Sequence, residues 1–145
     1  ALSSAASDVY KRQGYPVMDI KEYNGTSLAY MGDAVMSLLV REMLLAQGWQ
    51  KSKILQKKSE SWVSAKAQAY FLIQLKERAF FSEEEYAIVL RGRNTHSASK
   101  AKNADVTTYR MSTGLEALFG WLYLTHQEDR LKALWEEIQK IGEYQ

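Results

Sequence analysis

Residues 27–40 read SLAYMGDAVMSLLV. Ten of these fourteen residues are apolar and one, Asp33, is charged. Apolar residues at this density over this length read as a largely buried helix. A carboxylate inside such a helix is costly unless it is paired, hydrogen-bonded or bound to a metal. Asp33 therefore calls for a partner elsewhere in the chain.

A second window supplies a counterpart. Residues 113–124, TGLEALFGWLYL, are again apolar with a single charge, Glu116. Small residues flank both acids: Gly32 and Ala34 in one segment, Gly114 and Ala117 in the other. Small residues let helix backbones approach, and a helix-interior glycine costs about 1 kcal/mol relative to alanine, so a packing or functional reason is expected there. Two carboxylates on adjacent buried helices repel if both are ionised. A divalent cation removes the conflict, and Mg²⁺ suits a site of few carboxylates and several waters. Two other solutions remain open: a basic partner for each acid, or one acid kept protonated.

The chain of 145 residues is long enough for one domain with a real core. Its composition, 46% hydrophobic and 25% charged, is that of a globular protein. The one proline, Pro16, leaves the remaining chain permissive for helices. Cysteine is absent, which excludes disulfides and thiolate metal sites and is compatible with a cytoplasmic protein. The apolar runs are too short for a membrane span. Net charge is only +2, so any nucleic-acid footprint must arise from local clustering. Residues 1–13, ALSSAASDVYKRQ, lack period and lack the apolar core of a secretory signal. We read 1–17 as a non-native or unstructured leader, with Met18 as the true start, and 18–145 as the folded domain.

The remaining segments are helical. A long helix over 26–46 is expected, capped by Asn24 or Thr26 and followed by Gly48. A short basic helix is expected over 52–58, then one carrying Val63, Ala67, Tyr70, Phe71 and Leu75 at helical spacing, with Gln74 as the odd member. Ser82 and Glu85 form a capping-box pattern for a helix ending near Gly92. Residues 91–105 read as a loop, and Asp105 can cap the helix that holds Glu116. A final amphipathic helix is expected over 129–141. No strand alternation occurs, so the fold class is all-α with about six helices.

In and beside the loop lie Arg91, Arg93, Lys100 and Lys102, with no acid before Asp105. A charge run of this kind is commonly just solvated surface. Arginine forks also suit phosphates. Lys57, Lys66 and Gln68 lie on or before the VSAKAQA helix, and Asn94 and Asn103 are polar donors in the loop. Double-stranded RNA is read largely through phosphates and 2′-hydroxyls, for which such groups are suited. His96 fits an exposed or RNA-contacting residue and His126 a structural one. The apolar surplus of the first long helix is hard to bury within one small domain and points to a subunit interface.

SLAYMGDAV and STGLEALFGWLYL resemble the two signatures of the ribonuclease III endonuclease domain. More specifically, LAYMGDAV, VSAKAQA, FSEEE, RGRN, KNADV, TYRMST and EALFGWLYL resemble, in order, segments of Mini-ribonuclease III, the compact form without a double-stranded-RNA-binding domain. The resemblance implies a Mg²⁺-dependent endoribonuclease for double-stranded RNA, with Asp33 and Glu116 as the catalytic and metal-binding pair. It further implies a twofold homodimer that matures the large-subunit (23S) ribosomal RNA precursor, assisted by a ribosomal protein, with no membrane role. The RNA contacts expected from the charge and donor pattern are Lys57, Lys66, Gln68, Arg91, Arg93, Asn94, Lys100, Lys102 and Asn103. There are departures. Thr26, Ala29 and Thr113 stand where larger ribonuclease III enzymes carry further acids, and no acid occurs near Ile54. A histidine expected near Gln56 is missing, and Met111 replaces a tyrosine. A catalytically silent RNA-binding module and a helical protein-interaction domain are the alternatives.

Overall fold

The structure is a computed structural model that describes residues 19–95 and 105–145. A 3₁₀ turn at Ile20–Glu22 precedes six α-helices: α1 (Gly25–Ala46), α2 (Ser52–Val63), α3 (Ala65–Glu77), α4 (Glu83–Arg93), α5 (Val106–Leu124) and α6 (Glu128–Ile141). Among the described residues there is no strand, as expected for the all-α class. None of these helices is long and apolar enough to cross a membrane.

Side-chain caps set most of the helix starts. Asn24 Oδ1 accepts from Ser27 N at 2.8 Å and opens α1. Ser82 and Glu85 close both bonds of the anticipated capping box, at 3.1 and 2.9 Å. Asp105 Oδ1 accepts from Thr107 N at the head of α5. One boundary differs from expectation. The basic helix does not stop at Lys58 but continues to Val63. The break falls at Ser64, whose extended backbone ends α2 and whose Oγ accepts from Ala67 N to start α3. A serine that satisfies an orphan N–H of the next helix offsets part of the cost of the break.

Helix α5 is the centre of the domain, and α1, α3 and α4 pack around it. Leu115, Leu118, Phe119 and Leu122 of α5 meet Leu28, Met36 and Val40 of α1, and Phe71 and Leu75 of α3, in one buried cluster. Burying side chains of this size contributes about 1.5–3 kcal/mol each before entropy is charged against it. Helix α6 adds Leu131, Leu134, Trp135 and Ile138 at i, i+3, i+4 and i+7 spacing. Trp135 lies 5.7 Å, centroid to centroid, from Trp62 of α2. Arg130 of α6 clasps buried Glu85 through Nε at 2.6 Å and Nη2 at 2.9 Å, tying α6 to α4.

Candidate active site

The site forms where α1 and α5 cross. Their backbones touch: a Cβ on Gly32 would lie 1.7 Å from the carbonyl oxygen of Glu116, and a Cβ on Gly120 would lie 1.9 Å from that of Leu28. Only glycine permits this approach, which accounts for a glycine in the middle of each helix. The crossing sets Asp33, next to Gly32, beside Glu116.

The two acids differ in environment. Asp33 is exposed on α1, whereas Glu116 is largely withdrawn from water. This corrects the expectation that Asp33 is the buried charge. Leu28, Gly32, Val35 and Met36 take the core face of α1, and Asp33 lies beside it, next to exposed Ala34. Burial, followed by the hydrogen bond and charge of Asp33, pushes the Glu116 carboxyl up to about 8, against a lowering contribution from Gln68. Among the described residues no lysine or arginine forms a salt bridge with either acid. Among the described residues the pair is therefore left with a shared proton or a cation.

No larger acidic group forms. Among the described residues no three His, Cys, Asp or Glu side chains gather as a metal cluster. Thr26 is exposed, Ala29 is buried, and buried Thr113 directs its Oγ1 to Tyr109 O at 3.0 Å within its own helix. A donor set of two adjacent carboxylates without a basic partner fits a hydrated Mg²⁺, which needs few protein oxygens and retains its waters.

The basic residues are distributed around this crossing. Gly92, between Arg91 and Arg93, packs on α5: a Cβ there would lie 2.8 Å from Thr113 O and 2.7 Å from Ala117 Cβ. The arginines are thus anchored within a turn of Glu116. Arg91 is exposed, with Nη1 donating to Tyr23 O at 3.3 Å, and Arg93 is half-buried. Asn94, at the end of α4, is exposed, as are Lys57 on α2 and Lys66 on α3. Lys100, Lys102 and Asn103, and also His96, lie outside the described residues. Exposed His126, with φ 60°, turns the chain from α5 into α6.

Gln68 does not join this surface. It is only 2% exposed, and its Nε2 donates to Val63 O at 2.9 Å and to Glu116 Oε2 at 3.4 Å. Its place as an RNA-contacting donor is corrected: the amide faces inward because it follows Ala67 on the core side of α3. A polar residue within the stripe Ala67, Phe71, Leu72, Leu75 was the available signal for an inward role.

The profile of the ribonuclease III domain matches residues 26–127. The chain is 45% identical over 127 residues to the Mini-ribonuclease 3 of Enterococcus faecalis, covering 86% of this chain and 96% of that protein. The chain belongs to the Mini-ribonuclease III branch of the ribonuclease III family. Mini-ribonuclease 3 of Staphylococcus aureus is 47% identical over 122 residues, covering 84% of this chain and 91% of its own. A crystal structure of a Fusobacterium nucleatum protein superposes with a TM-score of 0.74 at 30% identity, covering 86% of this chain and 99% of the other. In this Mini-ribonuclease III chain both acids, Asp33 and Glu116, fall inside the matched residues.

Proposed function

We propose that this endoribonuclease hydrolyses double-stranded RNA with Mg²⁺, and that Asp33 and Glu116 hold the ion. The observation that carries the reading is that Asp33 lies close enough to Glu116 to raise its carboxyl by hydrogen bond and charge, with no salt bridge to either acid among the described residues. When bound, Mg²⁺ supplies Lewis-acid stabilisation of phosphate charge and activates water as a nucleophile. With the ion bound, Glu116 would be the ionised ligand, its proton released to solvent, and Asp33, already exposed, would face the incoming RNA. Arg91, Arg93, Asn94, Lys57 and Lys66 address phosphates and 2′-hydroxyls, together with Lys100, Lys102 and Asn103 of the 91–105 connection. In-line attack by water on phosphorus would form a new P–O bond as the P–O3′ bond breaks, leaving a 5′-phosphate and a 3′-hydroxyl that takes its proton from solvent.

Cutting both strands calls for two sites. The exposed side of α1 carries Tyr30 (83% exposed), Leu38 (46%) and Leu45 (58%), a run of apolar side chains at helical spacing beginning one turn before Asp33. A twofold dimer on this face sets two acid pairs along one duplex and doubles the basic footprint. The substrate we assign is the precursor of large-subunit ribosomal RNA in the cytoplasm, with a ribosomal protein as helper.

The test is incubation of long duplex and single-stranded RNA with the protein in Mg²⁺ or in chelator. Cleavage of the duplex in Mg²⁺ alone is expected. The sparse acid set, with Thr26, Ala29 and Thr113 where further acids would stand, favours a second reading as a silent RNA-binding module. Duplex binding without cleavage in Mg²⁺ or Mn²⁺ decides for that module.

A further inference from the structure

Gln68 is a buried amide with a half-used hydrogen-bonding capacity. Nε2 is shared between Val63 O, the last carbonyl of α2, and Glu116 Oε2, while buried Oε1 has no partner among the described residues. The amide has one sensible orientation. A flip would place its oxygen 2.9 Å from the carbonyl oxygen of Val63, which can only accept. The donor is therefore committed to Glu116 and the acceptor is left open. Buried polar atoms rarely stay without a partner.

We propose that Gln68 is a positioning residue for the ion: its Nε2, anchored on Val63 O, orients the Glu116 carboxylate that would hold the ion. The inference rests on Asp33 and Glu116 holding the ion. Glutamate has three side-chain torsions, and a donor on one carboxylate oxygen restricts which lone pairs face the site. At 3.4 Å the contact lies beyond the usual N–H···O range, so it orients more than it binds. Ser64, which caps α3 at the corner after Val63, fixes the amide's other anchor.

Gln68→Met keeps length and burial and removes both the donor and the acceptor. With Mn²⁺ as probe, electron paramagnetic resonance of the free ion gives the affinity without any turnover. The expected result is affinity weaker by about 10- to 100-fold, as for loss of other outer-shell partners. The rate kcat on duplex RNA falls by a similar factor, with KM unchanged because Gln68 does not reach the RNA. A merely architectural role lowers the melting temperature in chelator and moves neither quantity. Wild-type Mn²⁺ affinity and kcat in Gln68→Met, with the unmodified protein active, overturn the role of Gln68 alone. Absence of Mn²⁺ binding and cleavage in the unmodified protein overturns the acid-pair reading and this inference with it. Should the variant not fold, ¹⁵N-glutamine labelling of the unmodified protein decides. The side-chain amide signals of Gln68 shift on Mg²⁺ addition if the proposal holds, and their staying in place overturns it.

Discussion

Gly32 of α1 sits directly on the main-chain carbonyl of Glu116 in α5, with room for a hydrogen and none for a carbon. Gly32→Ala gains up to about 1 kcal/mol of helix propensity. Against that, the new methyl meets backbone rather than a pliable side chain, and overpacking of this kind costs about 3 kcal/mol. The clash wins. A drop in melting temperature on the order of 5–10 °C is expected by calorimetry, with loss of cleavage even where the variant is fully folded.

Asp33→Asn keeps the size of the side chain and removes a Mg²⁺ ligand. Cleavage should fall by more than the roughly 100-fold that loss of an outer-shell partner costs. Duplex-RNA binding in chelator should persist, and the melting temperature without metal should hold, since the asparagine amide can still partner the protonated Glu116 carboxyl. Full activity in the purified variant removes Asp33 from the site.

Without metal, Glu116 titrates near 8 in the folded protein, above its ordinary value of 4.5. The native state then holds this proton more tightly than the unfolded chain. At pH below the ordinary value the group is neutral in both states. Between about 4.5 and 8 the unfolded chain ionises first, and native stability declines as pH rises. In chelator, the melting temperature of the unmodified protein relative to Glu116→Gln should fall from pH 5 to pH 8 and then level. A flat difference across that range shows an unperturbed carboxyl.

Arg91 and Arg93 flank the glycine that packs on α5. Replacing both by glutamine should weaken binding to all duplex sequences alike. The slope of log affinity against log salt should shrink by about 1–2, one released counterion per lost phosphate contact. Filter binding over a salt series measures it, and an unchanged slope makes the two arginines plain surface.

Arg130 holds Glu85, whose carboxyl lies below the usual range although its burial alone would raise it; the bonds from Arg130 and Ser82 outweigh the burial. Arg130→Met leaves a buried carboxylate without its cation. The expected loss is about 3 kcal/mol, the low end for a broken buried pair because the guanidinium keeps water contact. Urea unfolding should report this loss while cleavage at 25 °C stays at the wild-type level.

What could be read from the chain was whatever one helix determines alone. The capping box at Ser82 and Glu85 and the apolar stripes depend on residues three and four apart, so they were legible. The two acids stood out because each is the lone charge in an apolar window. What depends on contacts between helices was not legible. Asp33 proved exposed because Leu28, Gly32, Val35 and Met36 claim the core face of α1. The link from Gln68 to Glu116 spans 48 residues and has no local period. The corner at Ser64 was missed because serine occurs inside helices as well as at their caps.

The two-glycine crossing also acts as a register lock. Slipping α1 past α5 by one turn, about 5.4 Å, would bring Leu28 or Met36 to the seat that Gly32 occupies, where even a methyl collides with backbone. Intermediate positions are no better. The spacing of Asp33 and Glu116 is therefore inherited from main-chain alignment and set when the helices dock. Control of this chain cannot work by sliding the two acids apart and together. It has to act on what arrives at them.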